Sequence, residues 1–567
     1  MTSSPAAQAA ASLVADLVSS GVRDLVLSPG SRSQALALAA VRAADAGHLR
    51  VHVRIDERVA GFTALGLARE SGVPAAVVCT SGTAAAHLLP AAMEAFHAGV
   101  PLLLLTADRP PELRGVGANQ ATVQPGLFAP FVRDAVDAPV PDAEGADWSG
   151  LARRAVAAAM GADAPHGVPS ATGLPGVAGP VHLNLPSREP LSGEAREVRL
   201  AAGPAPRPVP AEPLALARGP RTVVIAGADA GAPAEELAHA AGWPLIAEIV
   251  SGSRYGRRLV HGYRSLLRRE DLGGAIERAV VFGHPTLSRE VAALLSRADV
   301  EVVAVRHGGE QLDLNHRTRA AGAVVVDPAA AAPSADDRAW LGAWLEASAA
   351  ALVDVAEPAP DLDALTSVDS TARRDAVADE LAAVRRPLDR ALLVDAVWRA
   401  TWPHDRLVFG SSRLVRVADA QLAGKKVPVH ANRGLAGIDG TIATATGIAL
   451  ASQADGAPGV TRVLLGDLSL LHDVGAFLLP PDEIEPRLQV IVGNDGGGTI
   501  FDGLEVAGTA PRADLDRAFY TPHTVRLEHI ALAYGWEYRR VTTRSALDQA
   551  LTQPVGGRQL IEVPLAR

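Results

Sequence analysis

Short runs of Val, Ile and Leu, each closed by Gly, Ser, Thr or Asp, recur along the whole chain and alternate with Ala-rich stretches of helical character. Continuous apolar runs of this kind predict buried parallel strands, and the stretches between them predict crossover helices. The runs fall into three groups. The first holds 24–27, 51–55, 75–79, 101–106 and 181–185; the second 222–226, 244–249, 279–282, 301–305 and 323–326; the third 406–409, 427–430, 462–465, 488–492 and 559–563. Between the first two groups, residues 201–220 carry prolines at 204, 206, 208, 210, 213 and 220, which predicts a stiff exposed connector. A second polar, proline-punctuated break covers 356–375. The expected organisation is α/β, with three doubly wound parallel-sheet domains at 1–200, 221–355 and 376–567 joined by linkers at 201–220 and 356–375. Heptads and short-period repeats are absent from the sequence.

Length and composition agree with this division. At 567 residues the chain exceeds what one core organises and predicts three domains. A hydrophobic fraction of 48% with 20% charged residues is ordinary for a globular protein, and a net charge of -10 argues against nonspecific nucleic-acid binding. The single cysteine, Cys79, excludes an internal disulfide framework. Residues 1–8 lack the basic and apolar regions of a secretory signal, and no apolar segment approaches the roughly 20 residues that span a bilayer. A cytoplasmic enzyme is expected. Lysine occurs only at Lys425 and Lys426, so arginine identity by itself carries little information.

Candidate chemistry gathers at the predicted strand ends, where parallel sheets bind ligands. Asp467 and Asn494 each follow an apolar run, in Gly466-Asp467-Leu468 and Asn494-Asp495-Gly496. A carboxylate, an amide oxygen and a nearby backbone carbonyl are hard donors too few for octahedral Mg²⁺, which completes its shell with phosphate oxygens and water. A diphosphate cofactor is implied. Ser28-Pro29-Gly30-Ser31-Arg32-Ser33 has two readings, a strand-to-helix turn with a Ser cap or an anion cradle. Asp56-Glu57-Arg58 opens an Ala-rich helix, where acidic residues serve as dipole partners or, partly buried, share a proton with a heterocyclic nitrogen. Further strand ends carry Thr80-Ser81-Gly82-Thr83, Asp108-Arg109-Pro110, Gly117-Ala118-Asn119-Gln120, Gly410-Ser411-Ser412 and Asn432-Arg433-Gly434. Arg416 and Arg433 have a default reading as surface ion pairs, and Ile500 and Phe501 one as core residues.

Together these residues resemble the thiamine-diphosphate enzymes and, within them, the branch that joins 2-oxoglutarate to isochorismate in menaquinone biosynthesis. The resemblance covers most of the first and third domains and is thin in the middle one, chiefly Pro285-Thr286-Leu287-Ser288-Arg289. It implies thiamine diphosphate held between the first domain of one subunit and the third of another, hence a homo-oligomer. Asp467, Asn494 and the Gly496 carbonyl would hold Mg²⁺, with Mn²⁺ as a substitute. Ser411, Leu468 and Ser469 would lie by the cofactor's diphosphate, and Ile438 would wedge it into a bent form. Glu57, the catalytic residue, would bond the aminopyrimidine ring.

For the substrates, the resemblance assigns Ser31, Arg32, Arg109, Gln120 and Arg289 to isochorismate. Ser412, Arg416 and Arg433 go to the 2-oxoglutarate part, with Ile500, Phe501 and Leu504 as apolar walls. Converging arginines suit two dianions, because a guanidinium grips a carboxylate bidentately. Three departures stand out. The loop Ser412–Asp419 lacks the Pro and adjacent Asp of many relatives, His87 stands where Asn is usual, and Ser288 precedes Arg289 where some members have a basic residue. Two alternatives share part of the pattern. An acetohydroxyacid-synthase-like carboligase or decarboxylase would share Glu57, Asp467 and Asn494 without needing Arg32, Arg109, Arg416 and Arg433 together. A non-catalytic regulatory subunit would have lost Glu57 or the metal ligands. No Gly-x-Gly-x-x-Gly follows an early strand, which disfavours a nicotinamide dehydrogenase.

Overall fold

The structure, a computed structural model, describes residues 4–144, 147–162, 176–196, 198–207, 211–305, 307–329, 332–353, 355 and 361–567. Six strands form the first sheet: β1 (Asp24–Leu27), β2 (Arg50–Val53), β3 (Ala75–Cys79), β4 (Leu102–Asp108), β5 (Asp134–Asp137) and β6 (Pro180–Pro186). Their order is β2-β1-β3-β4-β6-β5, all parallel. The central region contributes β7 (Leu214–Leu216), β8 (Thr222–Ala226), β9 (Leu245–Ala247), β10 (Arg278–Phe282), β11 (Glu301–Val305), β12 (Arg319–Ala321) and β13 (Val324–Val326). Five of these form a parallel sheet in the order β12-β11-β10-β8-β9, and β13 pairs with β7 apart from it. The third sheet holds β14 (Arg406–Phe409), β15 (Val429–His430), β16 (Thr461–Gly466), β17 (Leu488–Asn494), β18 (Glu537–Arg540) and β19 (Arg558–Pro564), in the parallel order β15-β14-β16-β17-β19-β18.

Alternation of side chains between two covered sheet faces explains why these runs are largely apolar. In β4, Leu103, Leu105 and Ala107 enter one core while Leu102 and Leu104 enter the core on the opposite face. In β17, Leu488, Val490 and Val492 face one layer and Ile491 the other. With both faces covered by helices, a polar side chain inside such a strand needs a buried partner, as Gln489 finds by donating through Nε2 to Gln559 Oε1 at 2.6 Å.

Counted from their own first strands, the first and third sheets have one and the same strand order. In each, the chain reverses its direction of travel between the first and third strands, at β1/β3 and β14/β16. Loops diverge at such a switch point and leave a crevice at the carboxyl ends. Equivalent helices, Glu57–Ser71 and Thr441–Ser452, follow β2 and β15 and pack on each other. Two glycines allow the approach: a Cβ on Gly66 would stand 2.0 Å from the Thr444 carbonyl oxygen, and one on Gly447 2.1 Å from that of Thr63.

Several elements differ from the sequence expectation. Residues 201–220 are not wholly a connector, because Leu214–Leu216 forms β7 with Leu216 buried. The prolines at 208 and 210 lie outside the described residues. Residues 323–326, expected in the central sheet, supply β13 beside β7 instead, and Arg319–Ala321 takes the sheet edge. Residues 361–375 contain helix Leu362–Leu365 and the start of helix Ser370–Arg385, while 356–360 lie outside the described residues. Among the described residues, no helix is long and apolar enough to cross a membrane.

Candidate active site

At the β14/β16 switch point, the loops after β14, β16 and β17 separate around a cavity of about 470 Å³. Its walls include Ser411, Ser412, Arg416, Arg433, Ile438, Asp467, Leu468, Ser469, Ile500 and Phe501 from the expected set. Ser412 is placed by its own role as a helix cap, its hydroxyl accepting from the Leu414 N–H at 3.2 Å. Ser469 donates to the Ile438 carbonyl at 3.3 Å, which ties the proposed wedge to the end of β16. Asn494, at the end of β17, and Gly496 and Leu504 beyond it do not line the cavity. Their neighbours Asp495, Gly497 and Gly498 do line it.

The oxygen donors show the physical marks of a cation site. Asp467 is buried; burial and the nearby Asp495 charge raise its carboxyl above the ordinary carboxylate value. Its Oδ1 accepts from the Leu468 N–H at 2.9 Å, and His523 Nε2 lies 2.9 Å from Oδ2. Asn494 is oriented from behind, its Nδ2 donating to Glu562 Oε1 at 2.8 Å, while its Oδ1 accepts from the Gly496 N–H at 3.1 Å. An amide or carboxylate oxygen has two lone pairs, so each keeps capacity for a metal. Gly496 has φ 72, a conformation that L side chains rarely adopt, and a Cβ added there would meet open space. This donor set fits Mg²⁺ with diphosphate completing the shell.

The opposite wall is cationic. Arg390 is neutralised by Asp495 at 2.6 Å and Arg413 by Asp502 at 2.8 Å. Arg433 is buried and donates to Thr286 Oγ1 at 2.8 Å, to the Thr286 carbonyl at 3.2 Å and to Ser411 Oγ at 3.2 Å. The Arg416 side chain has no ion pair or hydrogen bond to another described residue. Partial burial against the wall, with the positive charges of Arg264 and Arg289, holds its guanidinium below the ordinary arginine value. A guanidinium at a cavity wall without a counter-charge is free to bind an anion. Arg289 itself reaches across to Glu505 at 2.9 Å, both side chains exposed.

Ser31, Arg32, Glu57, Arg109 and Gln120 follow strands β1, β2 and β4 of the first sheet, and none of them lines the cavity. Gly30 is required after β1, because a Cβ would stand 2.3 Å from that of Thr80. The buried Arg32 donates its backbone N–H to Thr80 Oγ1 at 3.2 Å and its guanidinium to the Ser187 carbonyl at 3.4 Å. Its Nε, like that of Arg109, is buried without a hydrogen-bond partner. Gln120, at φ 55, donates through Nε2 to the Ser81 carbonyl at 3.1 Å and accepts from Ser81 Oγ on its own carbonyl at 2.8 Å. Ser31 is exposed. Glu57 is half-buried in the first turn of its helix, capped by Asp56, and its carboxyl makes no hydrogen bond or ion pair with a described residue.

Sequence reasoning missed Thr286, Arg390, Asp495, His523 and Glu562. Thr286 and Asp495 sat inside quoted motifs, beside residues that drew attention. His523 and Glu562 act through Asp467 and Asn494 from distant parts of the chain, and no local spacing marks them. Of the noted departures, His87 is exposed, and Ser288 caps helix Arg289–Leu295 by accepting from the Val291 N–H at 3.1 Å.

Parallel α/β domains with paired switch points, and an Asp-Asn-Gly oxygen set beside a cavity, define a thiamine-diphosphate-dependent enzyme. Residues 7–127 match the thiamine pyrophosphate enzyme, N-terminal TPP binding domain. The fold is also that of benzoylformate decarboxylase from Polynucleobacter necessarius, with TM-score 0.65 over 99% of both chains at 14% identity. The 2-succinyl-5-enolpyruvyl-6-hydroxy-3-cyclohexene-1-carboxylate synthase of Leifsonia xyli subsp. xyli (strain CTCB07) is 54% identical over 100% of this chain and 97% of the relative. The same-named proteins of Clavibacter michiganensis subsp. michiganensis (strain NCPPB 382) and Thermobifida fusca (strain YX) are 52% and 40% identical, covering 97% and 96% of those relatives. The chain belongs to the 2-succinyl-5-enolpyruvyl-6-hydroxy-3-cyclohexene-1-carboxylate synthase family.

Proposed function

We propose that the chain decarboxylates 2-oxoglutarate and adds the remaining four-carbon unit to isochorismate, in menaquinone biosynthesis in the cytoplasm. Carbon dioxide leaves from the 2-oxo acid, and the electron pair left behind forms the new bond to the isochorismate ring, which then takes up a proton. Bound thiamine diphosphate supplies the nucleophilic carbon and the electron sink for this sequence. Asp467, Asn494 and the Gly496 carbonyl hold Mg²⁺ or Mn²⁺, with Ser411, Leu468 and Ser469 beside the diphosphate and Ile438 as the apolar wedge. Glu57 holds a proton at the aminopyrimidine ring.

Arg416, Arg433 and Ser412 take the carboxylates of 2-oxoglutarate. Ser31, Arg32, Arg109 and Gln120, with Arg289 from the central domain, take isochorismate. Ile500, Phe501 and Leu504 exclude water. None of the first-domain residues lines the third-domain cavity, which supports a complete site that joins the first-domain residues of one subunit to the third-domain cavity of another. The unpaired Arg416 carries the choice of a dianionic 2-oxo acid, since a smaller acid such as pyruvate would leave that cation without a counter-charge. The test mixes purified protein, thiamine diphosphate, Mg²⁺ and isochorismate with either 2-oxoglutarate or pyruvate and follows isochorismate loss and CO₂ release. Turnover with 2-oxoglutarate supports the assignment; turnover with pyruvate alone overturns it.

A further inference from the structure

The cavity wall that bears Arg433 is held from behind by a carboxylate in the central domain. Glu248 follows β9 and is fully buried. Its Oε1 accepts from the Leu287 N–H at 2.7 Å and the Thr286 N–H at 2.9 Å, and its Oε2 lies 3.2 Å from the latter. The turn so fixed aims the Thr286 hydroxyl and carbonyl at Arg433, which they meet at 2.8 and 3.2 Å. Thr286 and Arg433 both line the cavity, whereas Glu248 does not. Burial, and secondarily the Asp419 charge, push the Glu248 carboxyl up to about 8, so the fold holds this group at a cost. A long arginine side chain is directed only by what its nitrogens bond to, and loss of one anchor misplaces its fork.

We propose that Glu248 is a positioning residue: by fixing the Thr286–Leu287 turn, it sets the direction in which Arg433 presents its guanidinium to the 2-oxo acid. The inference rests on the reading that Arg433 binds 2-oxoglutarate. Steady-state kinetics of the holoenzyme test it with Glu248→Ala, Glu248→Gln, Thr286→Val and Arg433→Ala. Glu248→Ala and Thr286→Val are expected to raise KM for 2-oxoglutarate by about tenfold or more while kcat changes less than about threefold. The KM for isochorismate and the calorimetric affinity for thiamine diphosphate stay at wild-type values. Glu248→Gln keeps the shared Oε1 acceptor and is expected to stay within about threefold of wild type, and the Glu248→Ala/Thr286→Val double variant to be no worse than Glu248→Ala. Wild-type KM in Glu248→Ala overturns the proposal, as does a joint fall in kcat, both KM-based efficiencies and melting temperature beside a wild-type-like Thr286→Val. Should Glu248→Ala not fold, Thr286→Val decides by its KM for 2-oxoglutarate. Unchanged KM in Arg433→Ala refutes the substrate reading itself, whatever Glu248 does.

Discussion

Arg416→Ala isolates one electrostatic contribution, because this guanidinium has no partner to strand. Removing either member of a paired ion leaves the other uncompensated, and loss of binding then mixes with loss of fold. Arg416 has instead two like charges nearby, Arg264 and Arg289, and is partly desolvated. Its removal relieves repulsion, so the melting temperature is expected to hold or rise slightly. A charge-assisted hydrogen bond to a substrate carboxylate contributes about 1.5 to 3 kcal/mol. At roughly 1.4 kcal/mol per tenfold, kcat/KM for 2-oxoglutarate should fall by roughly 10- to 150-fold. Arg416→Lys, which keeps the charge without the planar fork, should fall between the two. The assay is initial-rate CO₂ release at saturating isochorismate, with thermal unfolding measured in parallel. A kcat/KM within twofold of wild type, or a loss matched by a drop in melting temperature, would refute the reasoning.

Three further outcomes are expected. Asp467→Ala should weaken Mg²⁺ and thiamine diphosphate binding together in calorimetric titration; retention of either at wild-type affinity contradicts the oxygen set. Gly447→Ala forces a Cβ toward the Thr63 carbonyl oxygen and should cost about 1 to 3 kcal/mol in denaturant unfolding, whereas Gly342→Ala, in open space within helix Ala335–Ala351, should be neutral or stabilising. Asp473, buried and accepting from the Ile442 and Ala443 N–H groups at 2.8 and 3.0 Å, has its carboxyl raised from 3.8 to about 7, chiefly by burial. The folded chain therefore keeps a proton that the unfolded chain has lost, and this group's contribution to stability declines as pH climbs from about 4 to about 7. Asp473→Asn should flatten that part of the profile of urea midpoint against pH, and an unchanged slope would count against the assignment.

How much of this was legible in the chain follows from burial. Strands covered on both faces, such as β4 and β17, declare themselves as apolar runs, and the first polar residue after each marks a strand end where ligands bind. Asp467, Ser411 and Arg433 were visible for that reason. Two edge strands lack that signal: β18 reads Glu-Tyr-Arg-Arg and β5 reads Asp-Ala-Val-Asp, each paired on one side only. The short β7 was hidden by the prolines around it. The shared winding of the first and third sheets left no sequence repeat, because strand order depends on packing faces and not on particular residues. Supports such as His523, Glu562 and Glu248 act across long chain separations, and only the fold brings them to their partners.

In the proposed function, the first-domain and third-domain residues of one chain serve two different active sites. Co-expression of Glu57→Gln and Asp467→Ala chains, each differently tagged and inactive alone, tests it. In a mixed dimer with sites across the interface, one site collects both changes and the other collects neither. With random pairing, the mixture should recover about a quarter of wild-type turnover of 2-oxoglutarate and isochorismate, carried by the doubly tagged species. Isolated mixed dimers with no activity above the two parents would contradict the account.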